Sequence, residues 1–241
     1  MKRLIWPVCV VAVACGSDAS SETVTVLAAS SLTGAFTEVA EEFEGQNSDV
    51  DVQLGFAASS ALVAQLVAGA PADVVAVADE ESLQPLVAAE LLAGSPVLIA
   101  SNKLAVIVSA TLTNEVNSLA DLTRPDLKVV ICAPEVPCGR HAREALDLAS
   151  IHVNPVSFEE NVRSVAGKVE LGEADAGIVY ATDLLDIGHG FVIPPEYNVV
   201  VRYPMALLAG SGNNQLAMSF LDFVLGAPGQ AILADHGFGE P

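Results

Sequence analysis

Basic residues are scarce in this sequence: ten Lys and Arg stand against thirty Asp and Glu, a formal net charge of -20. Nucleic-acid phosphates need cationic partners, so this balance excludes nucleic acid as a partner. The same field repels a soluble anion at long range, although salt confines it to about 8 to 10 Å. A site for an anion must therefore attract it with local dipoles rather than with net charge. Solubility, or adaptation to salty surroundings, accounts for the acidity itself. Histidines are also few, and His141, His152, His189 and His236 are scattered without a ligand spacing such as H-x-x-x-H. No G-x-S-x-G elbow occurs, and no histidine lies close in sequence to the serines singled out below. These absences leave a hydrolase or a metalloenzyme without local support. No repeat of fixed period and no low-complexity segment follows the first two dozen residues.

What is present is apolar. With 52% hydrophobic and 17% charged residues over 241 positions, the chain can build one large or two small cores. Its start carries Lys2 and Arg3, an apolar run from Leu4 to Ala14, and then Cys15-Gly16-Ser17-Asp18. That run is too short to cross a bilayer as a helix. A basic start, an apolar stretch and small residues describe an export signal. Ala12-Val13-Ala14-Cys15 resembles a bacterial lipobox, in which the cysteine becomes the lipidated first residue; Ala12 stands where Leu is usual. The segment from Gly16 to Glu22 then reads as a flexible tether. The alternative is a cleaved signal without lipid.

With Cys15 given to the anchor and Cys9 to the discarded segment, Cys132 and Cys138 remain of four cysteines. Two cysteines in an exported chain point to a disulfide, here around the proline-stiffened Cys132-Ala-Pro-Glu-Val-Pro-Cys138. Redox catalysis is the alternative, but the spacing is not C-x-x-C.

Beyond the tether, short β-branched runs alternate with helix-period stretches, the pattern of an α/β protein with helices on the faces of its sheets. Val24 to Ala28, Val50 to Phe56, Asp73 to Val77, Lys128 to Cys132 and Ala176 to Tyr180 read as strands. Leu32, Phe36, Val39 and Phe43 share one helix face, and Leu62, Val63, Leu66 and Val67 mark a second helix that Gly69 and Pro71 stop. Further helices are expected over Gly139 to Ala149, from a capping box Ser157-x-x-Glu160 onward, and over Gln215 to Leu225 and Ala227 to His236. The apolar stretches Val97 to Val108 and Val199 to Leu208 are placed to carry the chain from one lobe to another and back.

Two serine clusters, Ala29-Ser30-Ser31-Leu32 and Ala58-Ser59-Ser60-Ala61-Leu62, each follow a strand and precede a helix. Ligands of open α/β sheets bind beyond the carboxyl ends of the strands. A helix start there offers unpaired N–H groups and a positive dipole end, and added hydroxyls make the place a cradle for an anion. The plainer alternative is that each serine is an N-cap.

Taken in order, Val24-Thr-Val-Leu-Ala-Ala-Ser-Ser-Leu-Thr33, Phe56-Ala-Ala-Ser-Ser60, Ala68-Gly-Ala-Pro-Ala-Asp73, Pro134-Glu-Val-Pro-Cys-Gly139, Glu160-Asn-Val-Arg163, Gly177-Ile-Val-Tyr180 and Tyr203-Pro204 carry a family resemblance. From Val24 to Phe238 the chain resembles the periplasmic molybdate-binding proteins of ABC importers. The resemblance implies a two-lobed periplasmic-binding-protein fold of type II-like form, each lobe a mixed sheet flanked by helices, with the ligand in the cleft. The segments become 1–14 for a lipoprotein signal, 15–22 for the tether, 23–100 and 200–241 for the first lobe, and 101–199 for the second.

In that family neutral hydroxyls and backbone N–H groups hold the oxyanion. Carried over by position, the hydroxyls are Ser31, Ser59 and the Tyr180 phenol, and the backbone donors are Cys138 and Val162. Cys138 departs from the small residue usual there, but a main-chain contact tolerates that, and a bond to Cys132 would fix the loop. Ser30 and Ser60 are weaker candidates, the Tyr180 hydroxyl has a buried core role as its alternative, and Arg163 has a surface ion pair or a gate at the cleft. The resemblance implies a monomeric, non-enzymatic, extracytoplasmic protein with no cofactor, which takes molybdate or tungstate to a membrane permease. A binding subunit for sulfate, phosphate or an organic acid is the rival reading, and a purely structural surface lipoprotein a third.

Overall fold

The computed structural model describes residues 22–212 and 214–241. The expected signal, Cys9, Cys15 and the tether up to Ser21 lie outside the described residues. Two five-stranded sheets form, one in each lobe. The first holds β1 (Glu22–Ala29), β2 (Val50–Ala57), β3 (Val74–Ala76), β4 (Val97–Asn102) and β10 (Val201–Leu207), in the order β2-β1-β3-β10-β4. The second holds β5 (Leu104–Val108), β6 (Val129–Cys132), β7 (Ser157–Glu159), β8 (Ala176–Tyr180) and β9 (Gly190–Val192), in the order β7-β6-β8-β5-β9. In each sheet three neighbouring strands pair in parallel, and a single strand, β10 in the first and β5 in the second, runs antiparallel to the other four. The chain passes from the first sheet to the second at Lys103, between β4 and β5, and returns between β9 and β10.

The β-branched runs form strands because they are covered on both faces. Val24, Val26 and Ala28 of β1 are fully buried, and every residue of β5, β6 and β8 is buried. Such central strands read as continuous apolar runs. The helices α1 (Thr33–Gln46), α2 (Ser59–Val67), α3 (Gln84–Ala88), α7 (Asn214–Leu225) and α8 (Ala227–Asp235) belong to the first lobe. The helices α4 (Pro137–Leu148), α5 (Val162–Glu170) and α6 (Ala181–Ile187) belong to the second. Along α1, Phe36, Val39 and Phe43 fall on one buried face, as their spacing dictates. Phe220 of α7 meets both phenylalanines edge-on, with centroids 6.4 and 5.3 Å away.

One expected element is corrected. Ser157 to Glu160 opens no helix: Ser157, Phe158 and Glu159 pair with Val130, Ile131 and Cys132 as the edge strand β7. The Ser157 hydroxyl donates to Glu159, which also takes the Lys168 ammonium at 2.7 Å, while Glu160 is exposed. The cap is Asn161, whose side-chain oxygen accepts from the Ser164 N–H at 3.0 Å. The Ser-x-x-Glu spacing is real, but Glu159 uses its serine to close an ion pair within the lobe.

Because Phe220 is completely buried between α1 and the first sheet, Phe220→Ala is expected to cost about 3 to 5 kcal/mol of stability. Urea unfolding followed by circular dichroism measures it. A loss below about 1 kcal/mol, the range of volume-conserving swaps, is the opposite result.

Candidate functional site

All six parallel strands end, at their carboxyl ends, in the segments that face the groove between the lobes. Ser30 and Ser31 follow β1, Ser59 follows β2, and Ala78 follows β3. In the second lobe α4 follows β6, α5 follows β7, and Tyr180 is the last residue of β8. Elements from both lobes thus enclose one small cavity of about 220 Å³, solvent at its mouth included. Ser31, Ser59, Cys138, Val162 and Tyr180, from five separate sequence segments, all line it. Ser30 lines it as well, whereas Ser60 faces the wider cleft outside. No charged side chain lies among its lining residues.

The two serines are not caps. The residues in the cap positions are Ala29 and Ala58, and neither turn has a side-chain cap hydrogen bond. Each hydroxyl oxygen is instead held from behind. The Ala78 N–H donates to Ser59 Oγ at 3.0 Å, and the Tyr203 hydroxyl donates to Ser31 Oγ at 3.1 Å. An oxygen engaged as an acceptor has its own proton left to give. Ser59 is the first residue of the nine-residue α2, so its N–H belongs to the unpaired set of a helix start.

The second lobe supplies backbone donors. Cys138 is the second residue of α4, after Pro137, and Val162 is the first residue of α5. Their N–H groups have no intrahelical partner, and the dipoles of both helices present their positive ends to the cavity. The Cys132–Cys138 disulfide ties the first turn of α4 to the end of β6. Gly139 makes this approach possible, since a Cβ there would lie 1.9 Å from the Ala133 carbonyl oxygen.

Tyr180 completes the ring of donors. It is 1% exposed, and its hydroxyl has no hydrogen-bond partner among the described residues. Burial pushes its phenol well above the ordinary value of 10, so it stays protonated and can donate. Tyr203 of the first lobe packs edge-on against it at 6.2 Å, and burial raises that phenol also, against the opposing hydrogen bonds to Ser31 and Asn102. A small cavity that presents hydroxyl and amide protons, three helix starts and no carboxylate can do one thing well: surround a compact anion whose oxygens accept hydrogen bonds.

Three contributors escaped the sequence reading. Ala78 acts through its main chain and carries no residue-type signal. Tyr203 lies in a segment read as a lobe crossing, and its reach to Ser31 spans 172 positions. Asn161 lines the cavity while capping α5; only the mistaken capping box hid it. Arg163 lines an adjoining crevice with Ser31, Thr182 and Asp183.

Beside the cavity, His141 has its Nδ1 buried without a partner among the described residues, and burial lowers its pKa below 6.5, with Asp79 working in the other direction. The unfolded chain therefore binds this proton more readily than the folded one, so stability falls as the pH drops below about 6.5. The expected result is a loss of thermal stability between pH 7 and 5 that shrinks in His141→Gln. An equal loss in both proteins, followed by calorimetry, is the contrary outcome.

The model of a bacterial extracellular solute-binding protein family matches residues 24–239. The molybdate-binding protein ModA of Mycobacterium tuberculosis is 40% identical over 242 residues, covering 95% of this chain and 93% of that protein. The ModA of Escherichia coli is 32% identical, covering 94% and 93%. Among solved structures, the periplasmic molybdate-binding protein of Azotobacter vinelandii superposes with a TM-score of 0.80 at 20% identity, covering 90% of this chain and 99% of that one. That likeness extends the two-lobed fold. The chain belongs to the bacterial extracellular solute-binding protein family, as a binding protein and not an enzyme.

Proposed function

We propose that the protein captures a tetrahedral oxyanion, molybdate or tungstate, outside the cytoplasm and hands it, as a monomer and without a cofactor, to the membrane permease of an ABC importer. The observation that carries this reading is the Tyr180 hydroxyl, buried without a partner among the described residues where the donors of both lobes meet. In the proposed complex Ser31, Ser59 and Tyr180 donate through hydroxyls, and Cys138 and Val162 through backbone N–H groups. A dianion taken out of water needs each of its oxygens met by donors, since a buried charge left unpaired is very costly. The donors supply this without a counter-charge, and closing the lobes excludes water and strengthens each bond. The identity of the oxyanion rests on the 40% identical molybdate-binding relative; sulfate, of the same charge and shape, is the second reading.

Calorimetric titration of the tether-free protein with molybdate, tungstate, sulfate and phosphate tests the assignment. One-to-one binding of molybdate and tungstate, with sulfate far weaker, is expected; equal affinity for sulfate overturns it. Ser31→Ala, Ser59→Ala and Tyr180→Phe should each weaken binding by about 1.5 to 3 kcal/mol, the range for hydrogen bonds to charged groups. That is roughly tenfold or more in Kd. Ser31→Ala keeps the main-chain N–H of its turn and so should not abolish binding.

The lipobox-like Ala12-Val13-Ala14-Cys15 supports anchoring of the exported chain to the cell membrane through Cys15. Cys15→Ser is expected to release the protein from the membrane fraction. A substituted protein that still sediments with membranes removes the anchor from this reading.

A further inference from the structure

Closing two lobes over an anion is unfavourable for this chain on charge grounds. Residues 22–102 contain twelve Asp or Glu and no Lys or Arg, and Arg202 is the single Lys or Arg in 200–241. The second lobe is acidic too, with fourteen Asp or Glu against seven Lys or Arg over 103–200. Like-charged lobes repel across any gap shorter than the screening length of about 8 to 10 Å. Some contact must offset that repulsion when the groove is shut.

One does so beside the cavity. Arg140 of α4, in the second lobe, reaches across to Asp79, which follows β3 in the first. Its Nε and Nη2 both donate to one Asp79 carboxylate oxygen, and Nη2 also donates to the Ser82 hydroxyl at 3.1 Å. Glu81 stands 3.6 Å from Nε. The guanidinium is held from its own side by the Glu135 carbonyl at 2.8 Å, and the other Asp79 oxygen accepts from the Ser82 N–H at 2.9 Å. Asp79 is 7% exposed, so this is a largely desolvated pair whose two halves depend on each other.

The pair is wired to donors on both sides. Asp79 directly follows Ala78, whose N–H fixes Ser59 Oγ. Arg140 lies two residues after Cys138, in the same first turns of α4. Neither Asp79 nor Arg140 is among the residues lining the cavity. We infer that Asp79 and Arg140 form a cross-cleft latch, positioning residues that set the affinity for the oxyanion by stabilising the closed arrangement of the lobes without touching the ligand. The inference rests on the oxyanion reading above. A contact present only in the closed form raises the closed fraction, and the apparent Kd falls in proportion.

The latch is separable from a simple field effect. Asp79→Asn removes a negative charge beside an anion site, so electrostatics alone makes binding tighter, whereas loss of the latch makes it weaker. The experiment is titration of wild type, Asp79→Asn, Arg140→Met, Arg140→Lys and the double variant Asp79→Asn/Arg140→Met with molybdate, tungstate and sulfate. Melting curves of the ligand-free proteins confirm that each is folded. Both Asp79→Asn and Arg140→Met are expected to weaken every oxyanion the wild type binds by a common factor of about tenfold, through faster dissociation and with selectivity unchanged. The double variant should lose less than the product of the two single losses, and Arg140→Lys should recover part of the affinity. Tighter binding by Asp79→Asn, or wild-type affinity in Arg140→Met, overturns the latch while leaving the oxyanion reading intact. Failure of the wild type to bind any of the three withdraws that reading, and the latch with it.

Discussion

Buried hydrogen-bond donors need acceptors, and the groove between the two lobes collects donors without supplying the acceptors. The Tyr180 hydroxyl is the sharpest instance, 1% exposed and unpartnered among the described residues. The serine hydroxyls differ from it in having their oxygens engaged from behind, by the Ala78 N–H and the Tyr203 hydroxyl, so that their protons are what remains to offer. In the surrounding structure the parallel strands deliver these groups, and the helix starts add N–H groups with the right dipole. The polarity of the cavity is thus set by the second layer around it as much as by its lining.

That second layer is rigid. The disulfide and Gly139 press the first turn of α4 onto the Cys132–Ala133 backbone, which leaves the Cys138 N–H little freedom. Asn161 caps α5 and fixes the orientation of its first turn. Tyr203, Tyr180 and Phe238 stack edge-on beneath the site, joining the lobes through apolar contact. Rigid donors suit an anion because little has to be reorganised on binding. A net charge of -20 does not contradict the arrangement, since the attraction comes from dipoles a few ångströms away.

The lobes carry different charge loads, and that bears on how the groove shuts. The acidic first lobe has almost no cation of its own, so the Arg140 guanidinium reaching from the second lobe has an outsized effect at Asp79 and Glu81. In the proposed complex shape and donors hold the ligand, whereas the inferred latch across the rim governs how readily the lobes meet. Separating the two tasks lets selectivity and affinity vary independently.

How much of this was legible in the chain follows from which interactions are local. The strands β1, β2, β3, β6 and β8 and the helices α1, α2, α4, α7 and α8 could be read from periodicity because burial of β-branched and helix-period residues is imposed by the two-face or one-face environment of each element. The serine clusters stood out because a strand end followed by small hydroxyl residues is a local pattern. The disulfide was readable from cysteine count. The capping box at Ser157 failed because a three-residue spacing does not reveal that Ser157 to Glu159 pair with β6 as an edge strand, where the Ser157 hydroxyl goes to Glu159. What the sequence determined alone was therefore the donor types and the strand ends that carry them. Only the tertiary structure decided that Ser31 would be backed by Tyr203 rather than serve as a cap, that the Tyr180 hydroxyl would be left unpartnered, and that Arg140 would cross to Asp79. Each of these contacts joins residues between 61 and 172 positions apart or depends on a partner's absence, and such pairings are fixed by how the two sheets are brought face to face, which no local pattern encodes.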